Sequence, residues 1–501
     1  MITSTDPRTA ASRHTDIAVT TAAQVAEVTE LAARAAGELK LLGRQWRAGL
    51  LDALADGLEA NRDTLVATAD AESGLGLPRL NGELSRSCFQ FRLFAEALRE
   101  GSYLEATIDH AGDTALGAAP EVRRMLIALG AVAVFGASNF PFAFSVAGGD
   151  TASALAAGCP VVVKAHGSHP LTAQGSFDAL NAAAEAYGAP AGTLGIVYGT
   201  SAGASLVADP RITAVGFTGS LSGGQALMDI VANRPVPIPF YGELSSLNPV
   251  IITAEAAAAR AEAIAQGLFG SFTASSGQLC TKPGIAFVPR TAAGGHLVAQ
   301  IAAQVTAAAS NPLLNARIFS SFAEIEGRLI ADGHAETYAT GTLAGDGFHV
   351  APRLLTLDAH ALTAAATEEA FGPLLVVVWY DDLDALQRGL AQLPNSLTAT
   401  IHSEPGEDAL VGNLVDTLTP LAGRLVFNGY PTGVRVSWGQ HHGGPWPATN
   451  SLHTSVGVTA VRRFLRPFVW QDAPTAVLPE ELRDDYRGVP RRIDGVLTLA
   501  G

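Results

Sequence analysis

The stretch Ala131-Val132-Ala133-Val134-Phe135-Gly136-Ala137-Ser138-Asn139-Phe140-Pro141 is followed by a small-residue segment, Asp150–Ala157, and then by Val161-Val162-Val163-Lys164. An apolar run too short for a helix, a glycine-bearing turn, a helical segment and a second apolar run make one strand–helix–strand unit. The pattern continues downstream, with strands predicted at Thr193–Val197, Ile212–Phe217 and Pro249–Ile252 and helices at Leu171–Ala186 and Leu221–Ala232. Fully apolar strands separated by helices belong to a parallel sheet covered on both faces. The fold class is therefore α/β, with a doubly wound, Rossmann-like sheet. No Gly-x-Gly-x-x-Gly fingerprint is present, so spacing alone does not prove a dinucleotide site.

On the N-terminal side, apolar residues at three- and four-residue spacing predict helices through Val25–Leu41, Gln45–Asn61 and Leu84–Leu98, with breaks at Gly74-Leu75-Gly76 and Pro78. Glu121–Ile127 alternates enough for an antiparallel ribbon. On the C-terminal side, Ile285–Val288, Leu374–Trp379, Thr398–Ile401 and Leu425–Asn428 predict a second α/β unit, and Phe464–Trp470 a strand in the tail.

A chain of 501 residues is too long for one simple core, so two or three domains are expected. The formal net charge of -15 argues against sequence-independent nucleic-acid binding and against an anionic membrane surface as partner. Cys88, Cys159 and Cys280 cannot form a disulfide framework, which fits a reducing cytoplasm. Met1–Thr21 lacks the apolar core of a signal peptide. Met125–Gly149 carries no charged side chain, but Gly130, Gly136, Asn139 and Pro141 break it, so no membrane span is expected.

Several residues could carry chemistry. Cys280 lies in Ser275-Ser276-Gly277-Gln278-Leu279-Cys280-Thr281, a polar, glycine-bearing segment that keeps a thiol reachable. It reads equally as a nucleophile or as a packed small hydrophobe, the reading preferred for Cys88 and Cys159. Glu243 follows an apolar stretch, where a carboxylate is either functional or salt-bridged. Asn139 is a turn residue or an amide donor for an oxyanion. Lys164 ends a strand, at the edge where nucleotides bind such sheets. Phe217-Thr218-Gly219-Ser220 leads into a helix with Gly223 in its first turn, which offers backbone N–H groups to a phosphate or simply caps the helix.

Taken together, Ser138-Asn139-Phe140-Pro141, Val163-Lys164, Phe217-Thr218-Gly219-Ser220, Gly242-Glu243-Leu244, Gly277-Gln278-Leu279-Cys280 and Glu368-Glu369-Ala370-Phe371-Gly372-Pro373 resemble, in order and spacing, the signatures of the aldehyde dehydrogenase superfamily. The resemblance implies that fold: a cofactor domain from 1–102 and 129–245, a catalytic domain over 246–450, and an oligomerisation ribbon and tail at 103–128 and 451–501. It implies Cys280 as nucleophile, Glu243 as the base that activates water, and the Asn139 amide with the Cys280 N–H as oxyanion donors. Lys164, Ser220, Glu369 and Phe371 are implied as cofactor contacts. A homodimer or homotetramer is implied as well.

Two departures refine the expectation. Gly167, in Lys164-Ala165-His166-Gly167, stands where many NAD-preferring relatives carry a glutamate that would repel a 2′-phosphate, so NADP is expected, with NAD as the alternative and His166 as a further contact. Ser245-Ser246-Leu247 and the stretch Phe427–Pro447 resemble the branch of α-ketoglutaric semialdehyde (2,5-dioxopentanoate) dehydrogenases and some NADP-dependent fatty-aldehyde enzymes. The expected reaction is 2,5-dioxopentanoate to 2-oxoglutarate; a fatty or generic aldehyde and a non-catalytic scaffold are the alternatives. Arg435 is expected to fork to a substrate carboxylate unless it is a surface arginine, and Phe142, Phe144 and Trp438 to wall the tunnel unless they fill core. The pair His441-His442 has no spaced cysteine or carboxylate partner in sequence, so no metal is expected.

Overall fold

The structure, a computed structural model, describes Met1–Ala500. Four N-terminal helices come first: α1 (Ala22–Leu39), α2 (Gly43–Ala60), α3 (Arg62–Ser73) and α4 (Leu77–Glu100). Pro78 does not end a helix but lies in the first turn of α4, where its missing N–H costs nothing.

The first sheet contains β1 (Ala131–Phe135), β2 (Val161–Lys164), β3 (Leu194–Val197), β4 (Ile212–Thr218) and β5 (Phe240–Glu243), in the order β5-β4-β1-β2-β3. All its pairings are parallel. The alternation of side chains along β1 explains why an unbroken apolar run is needed. Val132 and Val134 join a core with α2, α4 and the helices α5 (Gly149–Ala157) and α6 (Pro170–Tyr187). Ala131, Ala133 and Phe135 join another with α1, α7 (Thr200–Ala208) and α8 (Leu221–Ala232).

The second sheet contains β6 (Val250–Ile252), β7 (Ile285–Pro289), β8 (Glu336–Thr340), β9 (Arg353–Asp358), β10 (Leu374–Tyr380), β11 (Ser396–His402) and β12 (Ala422–Phe427), in the order β8-β9-β10-β7-β6-β11-β12. Only the β8–β9 pair is antiparallel. Neither of these two strands is among those expected from the sequence: β8, Glu-Thr-Tyr-Ala-Thr, is a mostly exposed edge without an apolar run. Helix α9 (Ala254–Thr273) covers one face and leads to the Cys280 loop.

A third sheet pairs Val122–Ala128 antiparallel with Leu465–Gln471 and with Thr107–Asp109, so the predicted ribbon and tail strand meet each other. No helix among the described residues is long and apolar enough to cross a membrane.

Candidate active site

The polypeptide leaves α9 through Ser275, Ser276 and Gly277, three successive residues with positive φ. Such a turn is strained for serine and must be held in place. A Cβ on Gly277 would lie 2.2 Å from the carbonyl oxygen of Gly372, so only glycine lets this loop press against the 370–374 segment. Side chains anchor the residues up to Lys282. Asn248 donates to the carbonyls of Cys280 (2.8 Å) and Lys282 (3.0 Å), Gln278 accepts from the Leu314 N–H, and Lys282 Nζ donates to the carbonyls of Ala370 and Leu374.

Cys280 is thereby presented half-buried, whereas Cys88 and Cys159 are fully buried. Burial pushes those two thiols up, to about 12 and about 11, which leaves them inert. The Cys280 thiol is also raised, first by burial and then by the charge of Glu243. A base within reach is therefore required for nucleophilicity.

Such a base is present. Glu243, at the end of β5, is 2% exposed. One of its oxygens lies 3.0 Å from Nε2 of His442 and the other accepts from the Ser455 hydroxyl. The same Nε2 lies 3.5 Å from the Cys280 sulfur. Burial alone would push the Glu243 carboxyl up, but the His442 charge and the hydrogen bonds from His442 and Ser455 hold it down at about 2. The expectation that His441-His442 lacks such partners thus fails: His442 has both a cysteine and a carboxylate beside it, and the three donor atoms lie within 4.8 Å of one another. Their partnership spans residues 243 to 455 and leaves no local sequence signal.

Two cavities meet at Cys280. The larger, of about 680 Å³, is bordered by Asn139, His166, Thr218, Gly219, Ser220, Glu369 and Phe371 as well as Cys280. Asn139 donates from its amide to the Gln278 carbonyl at 2.8 Å, which leaves its second N–H uncommitted on the cavity that Cys280 also borders. Ser220 caps α8, accepting from the Gly223 N–H at 3.2 Å. Glu369 accepts from the Ser246 N–H at 2.9 Å, and burial pushes its carboxyl up to about 7 against the opposing charge of Lys282. Gly167 is exposed, with nothing within 4 Å of where a Cβ would sit. Lys164 is partly buried at the end of β2 and borders neither cavity.

Some expected contacts are placed elsewhere. Phe217 packs in the core between Phe135 and Phe240, because alternation along β4 turns it into the sheet face while Thr218 turns out. His166, in contrast, does border the larger cavity; its ring accepts from the Ser168 N–H, and burial lowers its imidazole well below the usual value.

The smaller cavity, of about 250 Å³, is bordered by Arg79, Glu83, Arg86, Phe140, Phe144 and Cys280. Phe144 is thus a wall, as expected, but Phe142 is not: it is fully buried in the core under α4, and its N–H donates to Glu83. Arg435 and Trp438 are exposed and border neither cavity. Both lie in an irregular segment where period-based reading gives no orientation.

The model of the aldehyde dehydrogenase family matches residues 1–444. The chain is 42% identical over 468 residues to the alpha-ketoglutaric semialdehyde dehydrogenase of Acinetobacter baylyi, covering 91% of this chain and 88% of that protein. It is 43% identical over 460 residues to alpha-ketoglutaric semialdehyde dehydrogenase 2 of Azospirillum brasilense, covering 90% and 87%. Among solved structures, a putative aldehyde dehydrogenase from Burkholderia cenocepacia superposes with a TM-score of 0.80 at 25% identity, over 94% of this chain and 96% of that one.

Proposed function

The chain belongs to the aldehyde dehydrogenase family, and from that premise we propose that it oxidises 2,5-dioxopentanoate to 2-oxoglutarate with NADP. The observation that carries the reading is the position of Cys280, which borders both cavities while sharing His442 with Glu243. A nucleophile between two ligand spaces is what oxidation of one bound molecule by another requires. The names of the two curated relatives favour this semialdehyde over a fatty aldehyde.

The larger cavity fits a dinucleotide. Its volume is in the range of cofactor sites, the helix N-terminus at Ser220 suits a pyrophosphate, and Glu369 suits the nicotinamide ribose. Gly167 supports NADP because no carboxylate there opposes a 2′-phosphate. Lys164, which the family resemblance implies at the adenosine end, would act there from outside the cavity wall.

With the His442 imidazole neutral, Cys280 gives its proton to the His442–Glu243 pair and its sulfur bonds to the aldehyde carbon, the carbonyl electrons moving to oxygen. The free N–H of Asn139 and the Cys280 backbone N–H hold that oxyanion. A bound NADP would supply the hydride acceptor, and loss of the hydride from the Cys280 adduct would leave a thioester. Once the pair has released its proton to solvent, Glu243 takes one from water. The water oxygen then bonds to the thioester carbon, and the C–S bond breaks to free the acid and the thiolate. The third sheet ends in the open edge strand Leu465–Gln471, and pairing of that edge with a second copy would build the homodimer or homotetramer the family resemblance implies.

The test is kcat/KM for 2,5-dioxopentanoate, pentanal and hexanal with each cofactor. A value for 2,5-dioxopentanoate at least about tenfold above the others, and higher with NADP, is expected for a site that pairs a substrate charge. Preference for hexanal overturns the substrate, and preference for NAD overturns the cofactor.

A further inference from the structure

Arg79, Glu83 and Arg86 recur on one face of α4 at helical spacing, and all three border the smaller cavity. Two of them are committed to structure. Arg79 donates to the Ser275 hydroxyl and to the Asn139 carbonyl, both at 2.8 Å, and pairs with Glu83. Glu83 accepts from the N–H groups of Phe142 and Ala143 at 2.8 and 3.0 Å. They hold the turn after β1 against the Cys280 loop.

Arg86 is different. Among the described residues it has no ion pair, and its Nε and Nη2 are shut from solvent without a hydrogen-bond partner. Its guanidinium lies over the rings of Phe144 and Phe140, at 5.3 and 5.9 Å from their centroids. Ring faces compensate a buried cation only partly, and unpaired buried donors carry a penalty that native cores avoid. With Arg79 and Glu83 offsetting each other, the cavity wall carries one uncompensated positive charge. It stands on the same cavity as the Cys280 thiol.

We propose that Arg86 binds the carboxylate of the substrate and so determines the preference for carboxylated aldehydes. Its planar guanidinium matches a carboxylate, which would pair the uncompensated charge on the cavity wall, while Phe140 and Phe144 flank the intervening carbons. Arg435 and Arg424 do not compete: neither borders the cavity, and Arg424 donates to the Pro431 carbonyl. This assignment rests on the carboxylated-aldehyde reading of the site, and the two fail separately. Wild-type enzyme preferring pentanal to 2,5-dioxopentanoate overturns that reading and with it the need for an anchor. Wild-type preference for 2,5-dioxopentanoate that survives in Arg86→Met overturns Arg86 alone.

The experiment compares kcat/KM for 2,5-dioxopentanoate and pentanal in wild type, Arg86→Met and Arg86→Lys. Losing a buried charge-assisted fork is expected to lower kcat/KM for 2,5-dioxopentanoate about 100-fold in Arg86→Met, mainly through KM, while pentanal changes less than about threefold. Arg86→Lys, which keeps the charge without the fork, is expected to recover part of the loss. Equal losses on both aldehydes mean a structural role and overturn the proposal, as does a selective loss in Arg435→Ala with Arg86→Met unaffected. Should Arg86→Met fail to fold, the selective loss must appear in Arg86→Lys as a raised KM for 2,5-dioxopentanoate alone, and its absence overturns the assignment.

Discussion

The two cavities that meet at Cys280 are built by opposite means. The larger draws mainly on loops at the carboxyl ends of the first sheet's strands, Asn139 after β1, Thr218–Ser220 at the end of β4 and Ser246 after β5, joined by Glu369 from the segment that enters β10 and by the helix Ala316–Ala331. Short side chains and backbone do the binding there, so the local chain path is the site. The smaller is made of long side chains on α4 and of two phenylalanines from the turn after β1. There the chain path is ordinary and single side chains decide what binds. A site for a cofactor can thus be written in contiguous motifs, whereas a site for one substrate is written in residues scattered through an ordinary helix.

Cys280 is where that division should break first. Cys280→Ser removes the nucleophile common to both sides, and a loss in kcat of about 10⁴-fold or more is expected, with NADP affinity by fluorescence titration unchanged. Loss of NADP binding in this variant would mean that the cavities are one unit.

Next in size is His442, which serves the chemistry from outside both cavities. His442→Gln is expected to lower kcat/KM about 10²–10³-fold, the range of a lost proton-transfer partner. The sign of the pH effect is distinctive. Glu243, held at about 2 against burial by His442 and Ser455, keeps the Ser455 hydroxyl but loses the His442 charge and hydrogen bond, the larger part of what opposes burial. The acid limb of kcat/KM should move to higher pH. Stability has the same sign: the depressed folded value contributes stability that is complete above the unfolded value near 4.5 and is lost as pH falls toward 2. Acid unfolding of His442→Gln should therefore begin at higher pH than in wild type, and an unmoved limb would assign His442 to packing.

Legibility in the sequence obeys the same division. β1, whose ends are read correctly from Ala131–Phe135, is an unbroken apolar run covered on both faces, and α8, read correctly from Leu221–Ala232, presents one apolar face to one core. Asn139, Ser220, Glu369 and Cys280 are legible because each sits inside a short segment whose path is itself the motif. Arg86 is not, because an arginine on an amphipathic helix looks like surface until Arg79 and Glu83 are seen to be occupied. His442 is not, because its partners lie 162 and 199 positions away. Sequence points to Arg435 and passes over Arg86 because it gives charge but not exposure, and exposure is what favours the proposed Arg86.

Two smaller effects test the cofactor side from within. Gly167→Glu places a carboxylate in open space next to His166, which borders the larger cavity. It should lower kcat/KM with NADP about 10–100-fold through repulsion and leave NAD nearly unchanged, and equal losses with both would remove the 2′-phosphate from that position.

The smallest expected effect concerns Glu369. Its buried carboxyl is pushed up to about 7, so it passes from neutral to charged across the working range. Only the charged form is purely an acceptor for two ribose hydroxyls, so KM for NADP should fall as pH rises through that value in wild type. Glu369→Gln cannot titrate. It should raise KM for NADP by about tenfold or less, the size of a hydrogen bond to a charged group, and flatten that pH dependence. Because Lys282 faces the same carboxyl, Lys282→Met should move the transition to higher pH by removing the charge that opposes burial. If KM for NADP is flat in wild type while Glu369→Gln still raises it, Glu369 holds the loop through the Ser246 N–H and not the ribose. The cofactor cavity would then depend on a placed side chain at this point, as the substrate cavity does at Arg86.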